Sequence, residues 1–401
     1  MINPTIIKMT SRIAIYLMVA LLWPFACFAQ VTDTAAFSMK FTVSEAPEWT
    51  ALFHRSNGWL GADGLFSIPF DGVDVKTSAK DSAMLIFSDT MIGDIVNGKL
   101  NSDAPGVHNS IAVIKNRTPK EENINFAWKI KDNGKPGSFF IPNTPRAEKG
   151  DFYWLGDGFF NPETKHTYIF GYRVHMTGSG VFDFSVTGNA LIALPKGSRP
   201  PFTDQRQMDT PFFIPAPAGN KIGYFGAGIL ANTKAAKTPH PDGYVYVYGI
   251  QGTEKYVLAV RVLPKDFEKI AEWRFWDGKS WNADIKTAVP VADHASDELS
   301  VTPLADGRYV MVFQMDGIGS TIGLRVGKSP AGPFGPIIKV WDCKSVLLTK
   351  GFYPYNAKAH PALSQPGELL ISFNVNSFDW NTDIQKYPNL YHPRFIRIKF
   401  N

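Results

Sequence analysis

The fold is decided by a hairpin pattern that is clearest in the stretch Glu298–Gln314, which reads ELSVTPLADGRYVMVFQ. An apolar run at Leu299–Leu304 leads to Ala305-Asp306-Gly307, and a second apolar run follows at Tyr309–Gln314. Asp-Gly between two such runs is typical of a tight turn that joins antiparallel strands. The stretch therefore predicts a β-hairpin that begins with an acidic side chain.

The same pattern recurs four more times along the chain. The paired runs are Leu65–Phe70 with Ala83–Ser88, Phe159-Phe160 with Thr167–Tyr172, Tyr224–Ala231 with Tyr244–Gly249, and Pro361–Leu363 with Leu369–Phe373. The turns lie roughly 60–90 residues apart, a spacing that suits repeated sheets around an axis. We predict an all-β fold, a five-bladed β-propeller with four-stranded antiparallel blades; a β-sandwich is the alternative. Alternating segments at Phe37–Val43 and Arg394–Phe400 are expected to close the ring, which leaves no free sheet edge.

Residues 1–29 have the three parts of a cleavable signal peptide. Lys8 and Arg12 supply the positive charge, Ile13–Phe28 is the apolar run, and Ala29 is the small residue before the cut. A membrane anchor is the alternative, but the run is short for a membrane span of ~20 residues. We predict a secreted or periplasmic protein with a single propeller domain at 30–401, or else an outer-membrane lipoprotein anchored through Cys27.

The composition limits the kinds of partner. The chain has 41 Lys and Arg residues against 36 Asp and Glu residues, scattered without basic blocks, which gives no electrostatic reason to expect nucleic-acid binding. Only Cys343 remains after cleavage, so no intramolecular disulfide is expected. We expect a monomer without a transmembrane segment.

Acidic side chains stand at the ends of the predicted hairpins, and antiparallel pairing brings such positions to the same end of a sheet. We expect four candidate catalytic residues at one mouth of the propeller: Asp63, Asp89, Asp157 and Glu298. Carboxyl groups that crowd together shift one another's pKa. Glycoside hydrolysis needs this combination, one protonated carboxyl group and one carboxylate.

Other polar and aromatic side chains near the same ends are candidate substrate contacts. They are Trp59, Asn109, Trp154, Arg173, Lys358, His360 and Asn374. Aromatic rings offer a flat apolar face to a sugar ring, and amide and guanidinium groups hydrogen-bond its hydroxyls. We therefore expect a carbohydrate as the partner of the mouth, while core packing or ion pairing is the alternative for each residue.

Two segments around the first hairpin resemble a known family. Asn57-Gly58-Trp59-Leu60-Gly61-Ala62-Asp63-Gly64, followed by Leu85-Ile86-Phe87-Ser88-Asp89-Thr90, is similar to the first blade of secreted five-bladed propellers once classed as domains of unknown function. Some members of that group are endo-D-arabinanases. Tyr355–Pro361 and Ser300–Leu304 fit the same resemblance. The wider relatives are the arabinanases, arabinofuranosidases and fructosidases of the arabinanase/fructosidase-like superfamily.

The resemblance implies roles for the acids. An Asp of blade one is the base in arabinanase-like relatives, which matches Asp63, and an Asp of blade two orients and tunes, which matches Asp157. The relatives carry the acid, a Glu, in blade three; this chain lacks it there, and its candidate acid is Glu298 of blade four. His360 matches a His that holds an ion or water in some relatives, so a structural Ca or Na ion at the axis is an option, and no cofactor is required.

The sequence-based hypothesis is a secreted glycoside hydrolase that cleaves a furanose-containing, arabinan-like polysaccharide or oligosaccharide with inversion. Asp63 or Asp89 acts as base or nucleophile, Glu298 as acid and Asp157 as modulator. One alternative is a non-catalytic glycan-binding propeller. Another is a sugar phosphorylase on the same fold, which would need basic side chains at the mouth to hold phosphate.

Overall fold

The structure is a computed structural model that describes residues 34–75, 81–101, 106–180, 183–215 and 222–401. The predicted signal peptide at 1–29, together with Cys27, lies outside these residues, so export stays a prediction. Within the described residues, no helix combines the length and the apolar character that crossing a membrane requires.

The first part of the chain forms a closing strand, a short helix and sheet 1. Its elements are β1 (Phe41–Glu45), α1 (Pro47–Phe53), β2 (Asn57–Ala62), β3 (Phe66–Pro69), β4 (Ala83–Phe87), β5 (Thr90–Val96), β6 (Lys99–Leu100), β7 (Gly106–Val107), β8 (Ser110–Ile114) and β9 (Ile124–Ala127). Sheet 1 has the order β3-β4-β8-β9, and β2, β5, β6 and β7 form a small sheet beside it. The hairpin β10 (Lys129–Ile130) and β11 (Pro136–Gly137) follows.

Four further antiparallel sheets follow in chain order. Sheet 2 is β12 (Phe152–Asn161), β13 (His166–Met176), β14 (Phe184–Pro195) and β15 (Arg206–Thr210). Sheet 3 is β16 (Phe213–Ile214), β17 (Gly223–Asn232), β18 (Tyr244–Gln251), β19 (Tyr256–Val262), β20 (Arg274–Trp276) and β21 (Trp281–Asn282). Sheet 4 is β22 (Leu299–Pro303), β23 (Tyr309–Gln314), β24 (Thr321–Gly327) and β25 (Ile338–Asp342). Sheet 5 is β26 (Phe352–Ala359), β27 (Glu368–Ser377), then helix α2 (Trp380–Lys386), and β28 (Arg394–Phe400), with β1 as its outer strand.

The five sheets follow one another around a ring. The strands β3, β12, β17, β22 and β26 contact one another in that order, and β3 also contacts the 3₁₀ turn Pro361–Leu363 that follows β26. Five hydrophobic clusters lie between neighbouring sheets, and the one between sheets 5 and 1 contains Leu85 and Phe395. Because each sheet is buried on both faces, its central strands are continuous apolar runs such as Ala83–Phe87. The prediction of an all-β, propeller-type fold is confirmed; the count of five blades stays a prediction, which this ring of sheets supports.

Both chain ends of the described region meet in sheet 5. β1 pairs with β28, with Phe41 opposite Phe400 and Val43 opposite Ile398. The strand predicted at Phe37–Val43 is therefore shifted, since Thr34–Phe37 is a 3₁₀ turn. Pro361–Leu363, predicted as the first strand of the fifth hairpin, is also a 3₁₀ turn, because proline cannot donate to a strand ladder.

Three buried asparagines brace neighbouring sheets. Each donates its side-chain amide to a backbone carbonyl on or just before the inner strand of the next sheet. The pairs, donor first, are Asn109–Tyr153 (3.3 Å), Asn189–Phe225 (2.7 Å) and Asn374–Ala62 (2.9 Å). Asn109 is fully buried with its amide nitrogen and oxygen both bonded to backbone groups, so it is not available for the substrate contact that the sequence analysis assigned to it, whereas that contact stays a prediction for Asn374.

Replacement of Asn109 by Leu is expected to lower the free energy of unfolding by about 2–4 kcal/mol, because buried backbone groups lose their partners. Asn109 also donates to the Phe140 carbonyl at 2.7 Å and accepts from the Phe140 amide at 2.9 Å. Urea denaturation measures the change. Asn143→Leu, at an exposed position, is the matched control and is expected to change stability by about 0.5 kcal/mol or less. Equal urea midpoints for Asn109→Leu and Asn143→Leu would contradict the bracing role of Asn109.

Candidate active site

The inner strands carry irregularities in strand pairing at similar positions. These breaks lie at Leu155–Gly158 in β12, Phe225–Gly228 in β17 and Tyr355–Lys358 in β26. Asp157 lies inside the first of them, Asp63 lies between β2 and β3, and Glu298 directly precedes β22. A bulge of this kind re-aims a side chain out of the normal alternation. Asp157 is thus presented from a bulge, and Asp63 and Glu298 are presented from the segments that precede inner strands.

Asp63 is a half-buried carboxyl group without an ion pair among the described residues. The Tyr355 hydroxyl donates to Oδ2 at 2.9 Å, and Oδ1 is buried with no hydrogen-bond partner in the described part of the chain. Burial first, and then the charges of Asp89 and Glu298, raise the pKa of Asp63 to about 8, although nearby hydroxyls partly offset them. Asp63 therefore keeps its proton at neutral pH and can donate it.

Glu298 is a buried carboxylate with a cation beside it. It forms an ion pair with Lys358, whose side chain is 1% exposed, and Asn356 Nδ2 donates to Oε1 at 2.9 Å. Lys358 Nζ also donates to the Asn356 carbonyl at 3.1 Å and lies 4.6 Å from the centre of the Phe66 ring. Burial raises the pKa of Glu298 above its usual value, and the charge of Lys358 offsets part of that rise. Lys358, predicted to contact substrate, is a buried counter-ion that favours ionised Glu298.

Asp157 connects sheet 2 to sheet 3. Its Oδ1 accepts from the Gly158 amide at 2.7 Å, and its Oδ2 accepts from the Ile229 amide at 2.7 Å. Burial raises the pKa of Asp157 to about 8, and the two backbone hydrogen bonds partly counter this rise. Because both oxygens are held by backbone groups, the orientation of the Asp157 carboxyl group is fixed.

Asp89 lies at the rim of the site. Its Oδ1 is 2.9 Å from His108 Nδ1, and both side chains are more than a third exposed. The His108 ring stacks on Phe152 at a centroid distance of 3.7 Å. The rings of half-buried Trp154 and Phe184 lie 4.6 Å apart between centroids. The rim therefore combines the Asp89–His108 pair with aromatic rings, and Trp154 stays a predicted substrate contact.

Two predicted substrate contacts have structural positions instead. Arg173 is buried and pairs with Asp209 at 2.8 Å and with Asp151 at 3.6 Å. Trp59 is buried in the cluster between sheets 5 and 1, and its Nε1 donates to Ser110 Oγ at 3.2 Å. Neither side chain belongs to the group formed by Asp63, Asp157 and Glu298.

A cavity of about 100 Å³ lies among the inner strands and is lined by Asp74, Asp157, Lys358 and His360, among others. His360 is buried, with Nε2 2.7 Å from Ser372 Oγ and Nδ1 3.3 Å from Ser67 Oγ. Burial and the nearby Lys358 charge lower its pKa well below the usual value, so His360 is neutral.

The residues of this cavity do not fit the axial Ca or Na ion that the resemblance suggested. Both Asp157 oxygens accept backbone N–H groups, and the Lys358 ammonium group lines the same cavity and repels a cation. Among the described residues, no group of three or more His, Cys, Asp or Glu side chains could hold a metal ion. The chemistry of the site is therefore derived from its side chains alone.

The comparison with protein families identifies the family of this chain. The model of a domain of unknown function, DUF5005, matches residues 47–400. The chain belongs to the DUF5005 family. None of the curated proteins matches it.

Among solved structures, the DUF5005 protein is similar to a protein from Bacteroides ovatus ATCC 8483 described as a "putative hydrolase". The two share 20% identity with a TM-score of 0.68, over 92% of this chain and 95% of that one. The catalytic domain of a Coprinopsis cinerea GH62 α-L-arabinofuranosidase has a TM-score of 0.44 at 10% identity, over 91% and 98% of the two chains. A GH43_1 enzyme from Xanthomonas citri, complexed with xylotriose, has a TM-score of 0.44 at 13% identity, over 88% and 92%. The first of these likenesses shows a common fold.

Sequence reasoning missed functional candidates that directly neighbour the residues it chose. Tyr172 precedes Arg173 and His108 precedes Asn109. Successive side chains of a strand point to opposite faces, so an error of one position exchanges a core residue for a site residue.

Proposed function

We propose that this protein is a glycoside hydrolase that acts on a neutral, furanose-containing polysaccharide outside the cytoplasm. The observation that carries the proposal is the pair of acids in unlike surroundings. Asp63 has a pKa raised to about 8, and Glu298 has Lys358 beside it. Unlike surroundings separate the pKa values of two carboxyl groups, and one protonated and one ionised group are the starting state for acid/base hydrolysis.

In the proposed reaction, Asp63 gives its proton to the glycosidic oxygen as the bond from that oxygen to the anomeric carbon breaks. Glu298 takes a proton from water, and the water oxygen bonds to the anomeric carbon. One water is consumed, Asp63 is left ionised and Glu298 protonated, and proton exchange with solvent restores both. This order reverses the roles inferred from the sequence, because the cation lies beside Glu298. Asp157 acts as modulator, and inversion stays a prediction.

A non-catalytic glycan-binding protein is the second candidate. The resemblance assigns the acid to sheet 3. The bulge of β17 in that sheet instead carries Ala227, which has no acidic group. A phosphorylase is less well supported. Lys358 and Arg173, the basic side chains among the predicted substrate contacts, are each paired with carboxylates.

Reducing-sugar release from arabinan, arabinogalactan, arabinoxylan and levan tests the proposed function. We expect release from at least one of these neutral polysaccharides. Affinity electrophoresis on the same panel is run in parallel. Retarded migration in one polysaccharide without release from any would favour the glycan-binding candidate, and phosphate-dependent release of a sugar phosphate would favour the phosphorylase.

A further inference from the structure

Tyr172, on β13, has a buried hydroxyl that no described residue satisfies. The residue is 6% exposed, and its Oη has no hydrogen-bond partner in the described part of the chain. The Tyr172 and Tyr224 rings lie 4.9 Å apart between centroids, and the Tyr224 hydroxyl, by contrast, donates to Asp297. The two neighbouring phenols thus differ, because only Tyr224 has its hydrogen bond inside the protein.

The Tyr172 hydroxyl lies close to the candidate active site. A Cβ atom at Gly156 would be 2.8 Å from Oη, so the hydroxyl sits against the bulge that carries Asp157. Burial raises the pKa of Tyr172 well above its usual value, and the charges of Glu298, Asp297 and Asp157 add to the rise. The hydroxyl is therefore surrounded by the acids but bonded to none of them.

An unpaired buried donor is costly to the folded protein unless a ligand or water completes it. Asp63 Oδ1 is a second buried atom of this site without a hydrogen bond among the described residues. Sugar hydroxyl oxygens accept hydrogen bonds, so one polyhydroxylated ligand can accept from the phenol and from a protonated carboxyl group together.

We propose that the Tyr172 hydroxyl donates a hydrogen bond to a hydroxyl oxygen of the bound sugar and is a substrate-binding residue. This inference rests on the proposed function, and it specifies the ligand as a neutral polyol that reaches the Tyr172 hydroxyl beside the bulge of β12. A residue larger than glycine at position 156 would clash with the Gly226 carbonyl and with the Tyr172 hydroxyl.

Tyr172→Phe tests the inference, with Tyr168→Phe as the matched control. The Tyr168 hydroxyl donates to Glu268 at 2.8 Å and takes no part in the site. We expect Tyr172→Phe to lower kcat/KM for the best polysaccharide, and affinity for the sugar released from it, about tenfold. Its Tm is expected to equal or exceed that of the wild type, because an unpaired polar atom is removed. Tyr168→Phe is expected to lower Tm and to leave kcat/KM unchanged.

The outcomes separate this inference from the proposed function. Wild-type kcat/KM and affinity in Tyr172→Phe, with a lower Tm, would mean that the hydroxyl binds ordered water only and would overturn the inference. A wild type that binds a glycan of the panel without cleaving it overturns the hydrolase, and weaker binding by Tyr172→Phe then still supports the inference. A wild type that neither binds nor cleaves any glycan overturns both.

Discussion

Asp63→Asn is expected to lower kcat for polysaccharide hydrolysis about 1,000-fold, because the amide has no proton to give the departing oxygen. The loss of kcat should be much smaller on an aryl glycoside of the released sugar. A phenol of low pKa leaves as its phenolate and needs no proton from the enzyme. Initial rates on both substrates measure the difference. If Asp63 were the base instead, both substrates would lose the same factor.

Asp63→Asn should also leave the protein at least as stable as the wild type at pH 7. The pKa of Asp63 is raised to about 8 in the folded state. The corresponding unfolded value is about 4, so the folded protein binds the extra proton and loses stability as pH rises between the two values.

Asp89→Asn, at the exposed rim, is the control for the activity of Asp63→Asn and is expected to lower kcat about tenfold or less. A comparable loss of kcat in Asp63→Asn and Asp89→Asn would contradict the assignment of Asp63 as proton donor.

Lys358→Met is expected to produce the second largest effect, a fall in kcat at pH 7 of roughly 100-fold together with destabilisation of about 3–5 kcal/mol. The change leaves Glu298 buried without its cation, which raises the pKa of Glu298 and favours the protonated form. Protonated Glu298 cannot accept a proton from water. Activity should therefore recover as pH rises, and the rising limb of the pH profile should move to higher pH.

The double variant Lys358→Met, Glu298→Gln provides the control for Lys358→Met. Removal of both charges should restore much of the lost stability, because no buried charge is left unpaired. Activity should not return, since the proton acceptor is gone. Urea denaturation and initial rates separate the two effects. A double variant no more stable than Lys358→Met would show that the pair does not behave as a buried ion pair.

The hairpin pattern was a good guide to the fold because turn chemistry and apolar runs are local properties. Glu298–Gln314 forms the predicted hairpin, with strands Leu299–Pro303 and Tyr309–Gln314. The pattern failed at Pro361–Leu363, where the inner strand of sheet 5 had already ended at Ala359. An apolar tripeptide at a proline carries no information on which segment enters the sheet.

The candidate site was only partly predictable. The sequence placed Asp63, Asp157 and Glu298 together because each opens or interrupts an inner strand. It could not show that Lys358 pairs with Glu298, because that contact joins sheets 4 and 5 through the bulge of β26. The proton assignment depends on this one ion pair and on burial, and both are tertiary properties.

The pH dependence of kcat/KM for the wild type tests the central claim most directly. If Asp63 is the proton donor, activity is expected to fall with a midpoint near pH 8, the pKa to which burial and neighbouring acids raise this group. An activity that instead rises through pH 8 would show that the group titrating there is required in its ionised form, and would contradict the account.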